Sequence, residues 1–128
     1  MSELMIAEQD RGCRKMMADL LRDQGYRVTV TDSAAGALTG ILRKGAQVVL
    51  LGSEFDDLAA ADLIPLLKQC NRDLTIILVS DEVPLPMIRK VRSEGIYYHA
   101  LKPRKLEDAE EICQAVQCAF DNIALNVN

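Results

Sequence analysis

Short apolar segments alternate with longer amphipathic segments along the chain, and this alternation repeats five times. The apolar segments have the length and composition of β-strands, and we place strands at residues 4–8, 27–31, 47–51, 75–80 and 97–101. The third and fourth are apolar at nearly every position, which is typical of central strands covered on both faces. The pattern predicts an α/β fold in which helices cover both faces of a five-stranded parallel sheet.

The segments between and after these strands carry apolar residues at helical spacing. We expect helices at residues 11–24, 34–44, 60–69, 84–95 and 106–120. Pro65 falls inside the third and predicts a kink or a later start, because proline removes a backbone donor. No linker-like or low-complexity segment interrupts the alternation, so the sequence predicts one domain over residues 1–128.

Composition narrows the functional classes. The 128 residues carry a net charge of −4, so binding through neutralised phosphates is not expected, and we predict no nucleic-acid partner. No apolar run approaches the roughly 20 residues that cross a bilayer, and the first residues do not resemble a signal peptide. We therefore expect a cytoplasmic protein with no membrane contact. The four cysteines lack metal-binding or redox spacing and are expected to be buried thiols.

Polar residues follow four of the predicted strands, at the edge where open parallel sheets bind ligands. Acids, one hydroxyl and one lysine at such an edge are suited to a divalent cation and a phosphoryl group. The other interpretation is that each residue caps a helix or contacts water. These residues are Glu8, Gln9 and Asp10 after the first strand, 52–57 after the third, Ser80 and Asp81 after the fourth, and Lys102 and Pro103 after the fifth.

Four segments together resemble the receiver domain of two-component response regulators. They are LMIAEQD at 4–10, VVLLG at 48–52, IILVS at 76–80 and GIYYHALKP at 95–103. The resemblance covers nearly the whole chain and implies the flavodoxin-like fold of CheY, with strand order 2-1-3-4-5. It also implies a cis peptide bond between Lys102 and Pro103.

The resemblance also implies that this chain departs from the family at the phosphorylation pocket. The position of the phosphoacceptor aspartate falls on Gly52, which has no side chain to phosphorylate. The acidic pair of the family falls on Glu8 and Gln9, so magnesium binding is expected to be weak or absent. Ser80 retains the switch hydroxyl, and Lys102 the cation that would pair with acyl phosphate. We expect these five residues to form a degenerate pocket with no catalytic residue, metal or cofactor.

The sequence also indicates individual roles for Glu8 and His99. We expect Glu8 to pair with Lys102 or to cap the first helix. His99 stands where the family has its switch aromatic residue. Because no Ser or Cys is predicted near it, His99 is expected to be a surface or interface side chain rather than a catalytic one.

The expected function is that of an atypical receiver domain, not an enzyme, which is not phosphorylated at the usual site and binds another protein. The partner is expected to belong to a two-component or related pathway, and a homodimer stays open. In receivers the face of the fourth helix, fifth strand and fifth helix carries the output. Here this face contains Met87, Ile88, Arg92, Tyr98, His99 and Arg104.

Two other functions remain open on the sequence. One is a response regulator that accepts a phosphoryl group on an unconventional residue such as Asp56 or Asp57. The other is a small-molecule sensor that uses the emptied pocket.

Overall fold

Five parallel strands form one sheet in a computed structural model of the chain, which describes residues 2–43, 45–81, 89, 93 and 95–126. The strand order is β2-β1-β3-β4-β5. This order and the parallel pairing confirm the predicted fold class. The strands are β1 (Glu3–Ala7), β2 (Arg27–Thr31), β3 (Val48–Gly52), β4 (Thr75–Ser80) and β5 (Tyr98–Leu101).

The helices flank the sheet at α1 (Arg11–Asp23), α2 (Ala34–Leu42), α3 (Ala60–Cys70) and a last helix, Ala109–Asn126. The predicted helix at 84–95 lies largely outside the described residues. Pro65 does not delay α3, which begins at Ala60 and contains the proline in its interior. Among the described helices, none is long and apolar enough to cross a membrane.

Alternate residues of the strands belong to two separate cores. Leu4 and Ile6 of β1 pack with buried residues of α1 and the last helix, whereas Met5 and Ala7 pack with buried residues of α2 and α3. This separation follows from the two-residue period of a strand. All of β3 is buried, as expected for a central strand covered on both faces.

Two expectations about individual positions are wrong. Cys118 is exposed and Cys70 is half-buried, so only Cys13 and Cys113 are buried thiols. Cys118 lies off the apolar stripe of the last helix, because five residues after Cys113 a helix has turned well away from the core. No peptide bond between described residues is cis, so the bond from Lys102 to Pro103 is trans, the form that X-Pro bonds intrinsically prefer.

A side chain from the loop between β3 and α3 holds the N-terminus of α2. The two carboxylate oxygens of Asp57 accept hydrogen bonds from the backbone N–H groups of Ala35, at 3.0 Å, and Ala34, at 3.1 Å. These two backbone hydrogen bonds lower the pKa of Asp57 below its usual value. Asp57 is therefore part of the structural connection between the loop and α2.

We expect Asp57→Asn to lower the urea midpoint of unfolding at pH 7, because an amide offers one acceptor oxygen where the carboxylate offers two. The pKa of Asp57 is lower in the folded state than its usual value of 3.8, so its stabilising contribution is complete above that value. That contribution is lost as the pH falls through the lower, folded-state pKa. The difference between wild type and variant should therefore stay constant near neutral pH and shrink below about pH 4.

Asp23→Asn is the matched control for this substitution, since Asp23 is an exposed aspartate at the end of α1. Equal shifts of the urea midpoint in the two variants would contradict the role assigned to Asp57.

Candidate functional site

The carboxyl ends of the central strands bring Glu8 and Gly52 into contact. Ala7 pairs with Leu51 across β1 and β3, so Glu8 and Gly52 are the next residues along the two strands. A Cβ atom built on Gly52 would lie 2.9 Å from Glu8 Oε2 and 3.1 Å from its Cδ and Oε1. Real Cβ atoms essentially never approach another atom to under 3.0 Å. The carboxylate of Glu8 therefore occupies the space that a side chain at residue 52 would need.

Lys102 lies between two carboxylates. Its Nζ is 3.2 Å from Asp10 Oδ2 and 3.9 Å from Glu8 Oε1, so the ion pair expected between Glu8 and Lys102 is present. Partial burial lowers the pKa of Lys102, but the hydrogen bond with Asp10 and the charge of Glu8 outweigh it, and the pKa lies above its usual value. The lysine is therefore a permanent cation near neutral pH.

Asp10 also belongs to this site, although the sequence indicated no separate role for it. Its Oδ1 accepts a hydrogen bond from the N–H of Cys13 at 3.1 Å, so Asp10, rather than Glu8, caps α1. That bond and the contact with Lys102 lower the pKa of Asp10. Its own N–H donates to Glu8 Oε2 at 3.1 Å. The position of an aspartate directly before the first helical residue is the sequence signal for this cap.

Gln9 makes its contacts with a different loop. Its Nε2 donates to Asp56 Oδ1 at 3.0 Å, and the N–H of Asp56 donates to Gln9 Oε1 at 2.8 Å. This reciprocal pair joins the loop after β1 to the loop after β3. The described ion pairs of Lys102 are with Glu8 and Asp10 and do not include Asp56 or Asp57.

Ser80 and His99 are in contact on the face of the sheet opposite to that of Glu8 and Gly52. His99 pairs with Leu78, a residue of the core under α2 and α3, so His99 and Ser80 are diagonal neighbours on that face. Ser80 Oγ lies 2.5 Å from His99 Nε2. The expectation that no Ser lies near His99 is therefore wrong, because it did not take account of the register between β4 and β5.

The Ser80–His99 contact does not form an accessible nucleophilic site. Ser80 is 1% exposed, so its hydroxyl is not accessible to a substrate. Cys13 belongs to the core on the opposite face of the sheet. Burial raises the pKa of its thiol to about 12, so the thiol is protonated at neutral pH and is not a nucleophile. In the described part of the chain, no group of three or more His, Cys, Asp or Glu side chains could hold a metal ion.

The surface next to β5 exposes large apolar side chains. Tyr98 and Leu101 of β5 are 41% and 57% exposed, and Leu106, in the segment between β5 and the last helix, is 71% exposed. An open groove of about 690 Å³ lies between the end of β5 and the start of the last helix. Besides Leu101 and Lys102, it is lined by an exposed ion pair, Arg104 with Asp81, and by the acidic side chains Glu107, Asp108 and Glu111.

Part of the predicted interaction face can be compared with this surface. Tyr98 is exposed and His99 is half-buried against Ser80, whereas Arg104 lines the groove. Met87, Ile88 and Arg92 lie outside the described residues. Leu101 and Leu106 are additional exposed side chains that were not expected here, because the sequence places both at the ends of predicted regular elements. Here we use the term β5 surface for Tyr98, Leu101, Arg104 and Leu106.

Comparisons with known proteins agree with this architecture. Residues 4–117 match the response regulator receiver domain family. The chain is 30% identical over 130 residues to the two-component response regulator ARR5 of Arabidopsis thaliana, covering 86% of this chain and 70% of that protein. It is 26% identical over 106 residues to the response regulator ORR3 of Oryza sativa subsp. indica, covering 80% and 81%.

Other relatives are much longer than this chain. The DNA-binding transcriptional regulator NtrC of Rhizobium meliloti is 26% identical over 105 residues, which cover 82% of this chain but 22% of that regulator. The alignment with NtrC of Azospirillum brasilense covers 24% of its length. The chain therefore spans about a quarter of these two regulators.

Solved structures show the same fold at lower sequence identity. A receiver domain protein (CheY-like) from Methanospirillum hungatei superposes with a TM-score of 0.83, at 17% identity, over 95% of this chain and 98% of that one. A two-component response regulator from Clostridium difficile gives a TM-score of 0.87, at 14% identity, over 96% and 98%. Because the family match also extends over residues 4–117, this chain belongs to the receiver domains of two-component response regulators.

Proposed function

We propose that this receiver domain is not phosphorylated at the usual position and acts by binding another protein. The observation that supports this most directly is the carboxylate of Glu8 over Gly52. The resemblance places the phosphoacceptor at Gly52, which offers no oxygen to a phosphoryl group. Lys102, the cation that would pair with acyl phosphate, instead has Asp10 and Glu8 as partners within the domain.

The residues present do not fit the magnesium ion that phosphorylation of a receiver implies. Mg²⁺ requires near-ideal octahedral coordination by oxygen atoms. Asp10 is occupied by the cap of α1 and by Lys102, and Gln9 is turned to Asp56. The ammonium of Lys102, 3.2 Å from Asp10 Oδ2, would also repel a divalent cation at these carboxylates. The proposed function therefore includes no step that uses the metal.

The contacts of Asp56 and Asp57 disfavour the alternative in which one of them accepts a phosphoryl group. Asp57 accepts two backbone hydrogen bonds at the start of α2, and Asp56 pairs with Gln9. Phosphoryl transfer depends on the alignment of the acceptor with a cation. Lys102, the cation that would serve this alignment, is instead engaged by Asp10 and Glu8.

We propose the β5 surface as the site of protein binding. Exposed tyrosine, leucine and arginine side chains are a composition typical of interfaces. The predicted face also includes His99 and the residues Met87, Ile88 and Arg92. The partner is a protein of a two-component or related pathway, and a second copy of this chain is the other occupant to be tested. The cytoplasmic location expected from the sequence stays a prediction.

Phosphorylation can be tested directly. We expect incubation with acetyl phosphate and millimolar magnesium to leave the intact mass of the protein unchanged, because Gly52 provides no acceptor and the pocket does not fit the metal. A receiver domain that has the acceptor aspartate serves as a positive control and should gain one phosphate. A gain of one phosphate by this protein, mapped to Asp56 or Asp57 by fragmentation, would establish the alternative function.

The β5 surface can be tested with charge substitutions at exposed leucines. We expect Leu101→Glu together with Leu106→Glu to weaken binding to a partner protein isolated from the native cell, or self-association, by roughly tenfold or more, because charged groups are depleted in interface cores. Isothermal titration calorimetry measures binding to the partner, and sedimentation measures self-association.

Leu42→Glu on α2 is the matched control, since Leu42 is 65% exposed but lies elsewhere on the molecule. Circular dichroism confirms that each variant folds. Equal binding by the double variant and by the control would exclude the β5 surface.

A further inference from the structure

We propose that the side chain of Glu8 permanently occupies the space beside Gly52, so that no side chain fits at residue 52 while Glu8 is in place. Its carboxylate also holds Lys102 at the edge of the sheet. The inference rests on the proposed function and deepens it, because it identifies what keeps the domain in one state without phosphate. It assigns Glu8 a positioning role.

The backbone does not explain the glycine at position 52. Among the described glycines, only Gly25 and Gly95 have a positive φ, so Gly52 has a conformation that other residues can adopt. Gly52 is also a strand residue, and glycine in a strand loses more conformational entropy on folding than alanine does. The atoms around the position, rather than its dihedral angles, therefore account for the absence of a side chain.

Those atoms belong to a single charged group. The three nearest neighbours of a Cβ built on Gly52 are Oε2, Cδ and Oε1 of Glu8. Gly12 shows the contrast within the same site, since a Cβ there would meet Asp10 Oδ1 at 3.5 Å, an ordinary van der Waals distance. Gly12 could therefore accept a methyl group, whereas Gly52 could accept one only if Glu8 moved.

Several contacts oppose a movement of Glu8. Its main chain is fixed, because its N–H donates to the carbonyl of Thr31 at 3.0 Å and its carbonyl accepts from Arg14 Nη1 at 2.8 Å, so the carboxylate could be displaced only by rotation of the side chain. The side chain is about 95% buried, accepts a hydrogen bond from Asp10 and faces the ammonium of Lys102. A displaced carboxylate would lose the hydrogen bond and leave the lysine with one partner fewer. The cost of adding a side chain at residue 52 is therefore the cost of breaking this network.

The same network extends to the proposed binding surface. The N–H of Lys102 donates to the carbonyl of Ser80 at 2.8 Å, which continues the pairing of β4 with the segment after β5. Lys102 and Arg104 both line the groove that contains Leu101. Because Glu8 holds the lysine by an internal contact, this edge of the surface forms without a ligand. A surface formed in advance carries no conformational cost on binding.

The test is a double-mutant cycle on thermal unfolding, with Gly52→Ala introduced into wild type, Glu8→Gln and Glu8→Ala. We expect Gly52→Ala to lower Tm by about 3–8 °C in wild type and in Glu8→Gln, which keeps the volume of the side chain. In Glu8→Ala the space is empty, and the same substitution should leave Tm unchanged or raise it. Gly12→Ala is the matched control and should not lower Tm in any background.

Either of two results would overturn the inference. Equal losses of Tm in all three backgrounds would show that Glu8 does not exclude a side chain at residue 52. A loss in wild type alone would assign the effect to the charge of Glu8 rather than to its volume. If a Glu8 variant does not fold, the crystal structure of Gly52→Ala decides the matter, since a carboxylate that stays in place with Lys102 still beside it would contradict the proposal.

This cycle uses neither a phosphodonor nor a partner, so its failure is distinct from failure of the proposed function. If the cycle fails while the wild-type mass stays unchanged by acetyl phosphate, only the role of Glu8 is lost. If the cycle succeeds while the wild type gains a phosphate, the occupancy by Glu8 stands and the proposed function is wrong.

Discussion

A buried carboxylate at the adjoining ends of β1 and β3 is the constraint on which this site depends. Glu8 is 4% exposed, and a charge removed from water to that extent requires a compensating partner. Lys102 supplies the opposite charge, and the backbone of Asp10 supplies a hydrogen bond. The requirement to accommodate this carboxylate then explains why the neighbouring strand ends in a glycine.

The remaining polar groups at this edge act as structural connections. Gln9 joins two loops through Asp56, Asp57 holds the start of α2, and Asp10 caps α1. Each of these groups could contribute to metal or phosphoryl chemistry in isolation. Their mutual contacts give each of them a partner within the domain. The polar groups of the pocket are therefore partners of one another or of nearby backbone groups.

The two faces of the sheet carry different parts of the arrangement. Glu8 and Gly52 continue the residues that face α1 and the last helix, whereas Ser80 and His99 continue those that face α2 and α3. The short contact between Ser80 and His99 joins β4 to β5 independently of the ion pair of Lys102. Strand β5 is therefore connected to the centre of the sheet from both faces, which favours a single conformation of the surface beside it.

The sequence by itself determined the class of fold and most element positions. The strands at 27–31 and 75–80 were predicted with the bounds that are observed, because the periodicity of apolar residues is a local property. The resemblance likewise identified which residues belong to the candidate site. The start of the last helix was predicted three residues too early, since the polar segment before Ala109 has helical periodicity without helical structure.

Only the tertiary structure decided which polar groups are partners. The contact between Gln9 and Asp56 joins residues 47 positions apart, and the contact between Ser80 and His99 depends on the register of two strands. The placement of Glu8 over Gly52 depends in the same way on the pairing of β1 with β3. Local patterns report which side of an element is buried. The register and packing of distant elements decide which side chains meet there, because those are set by the fit of the whole core.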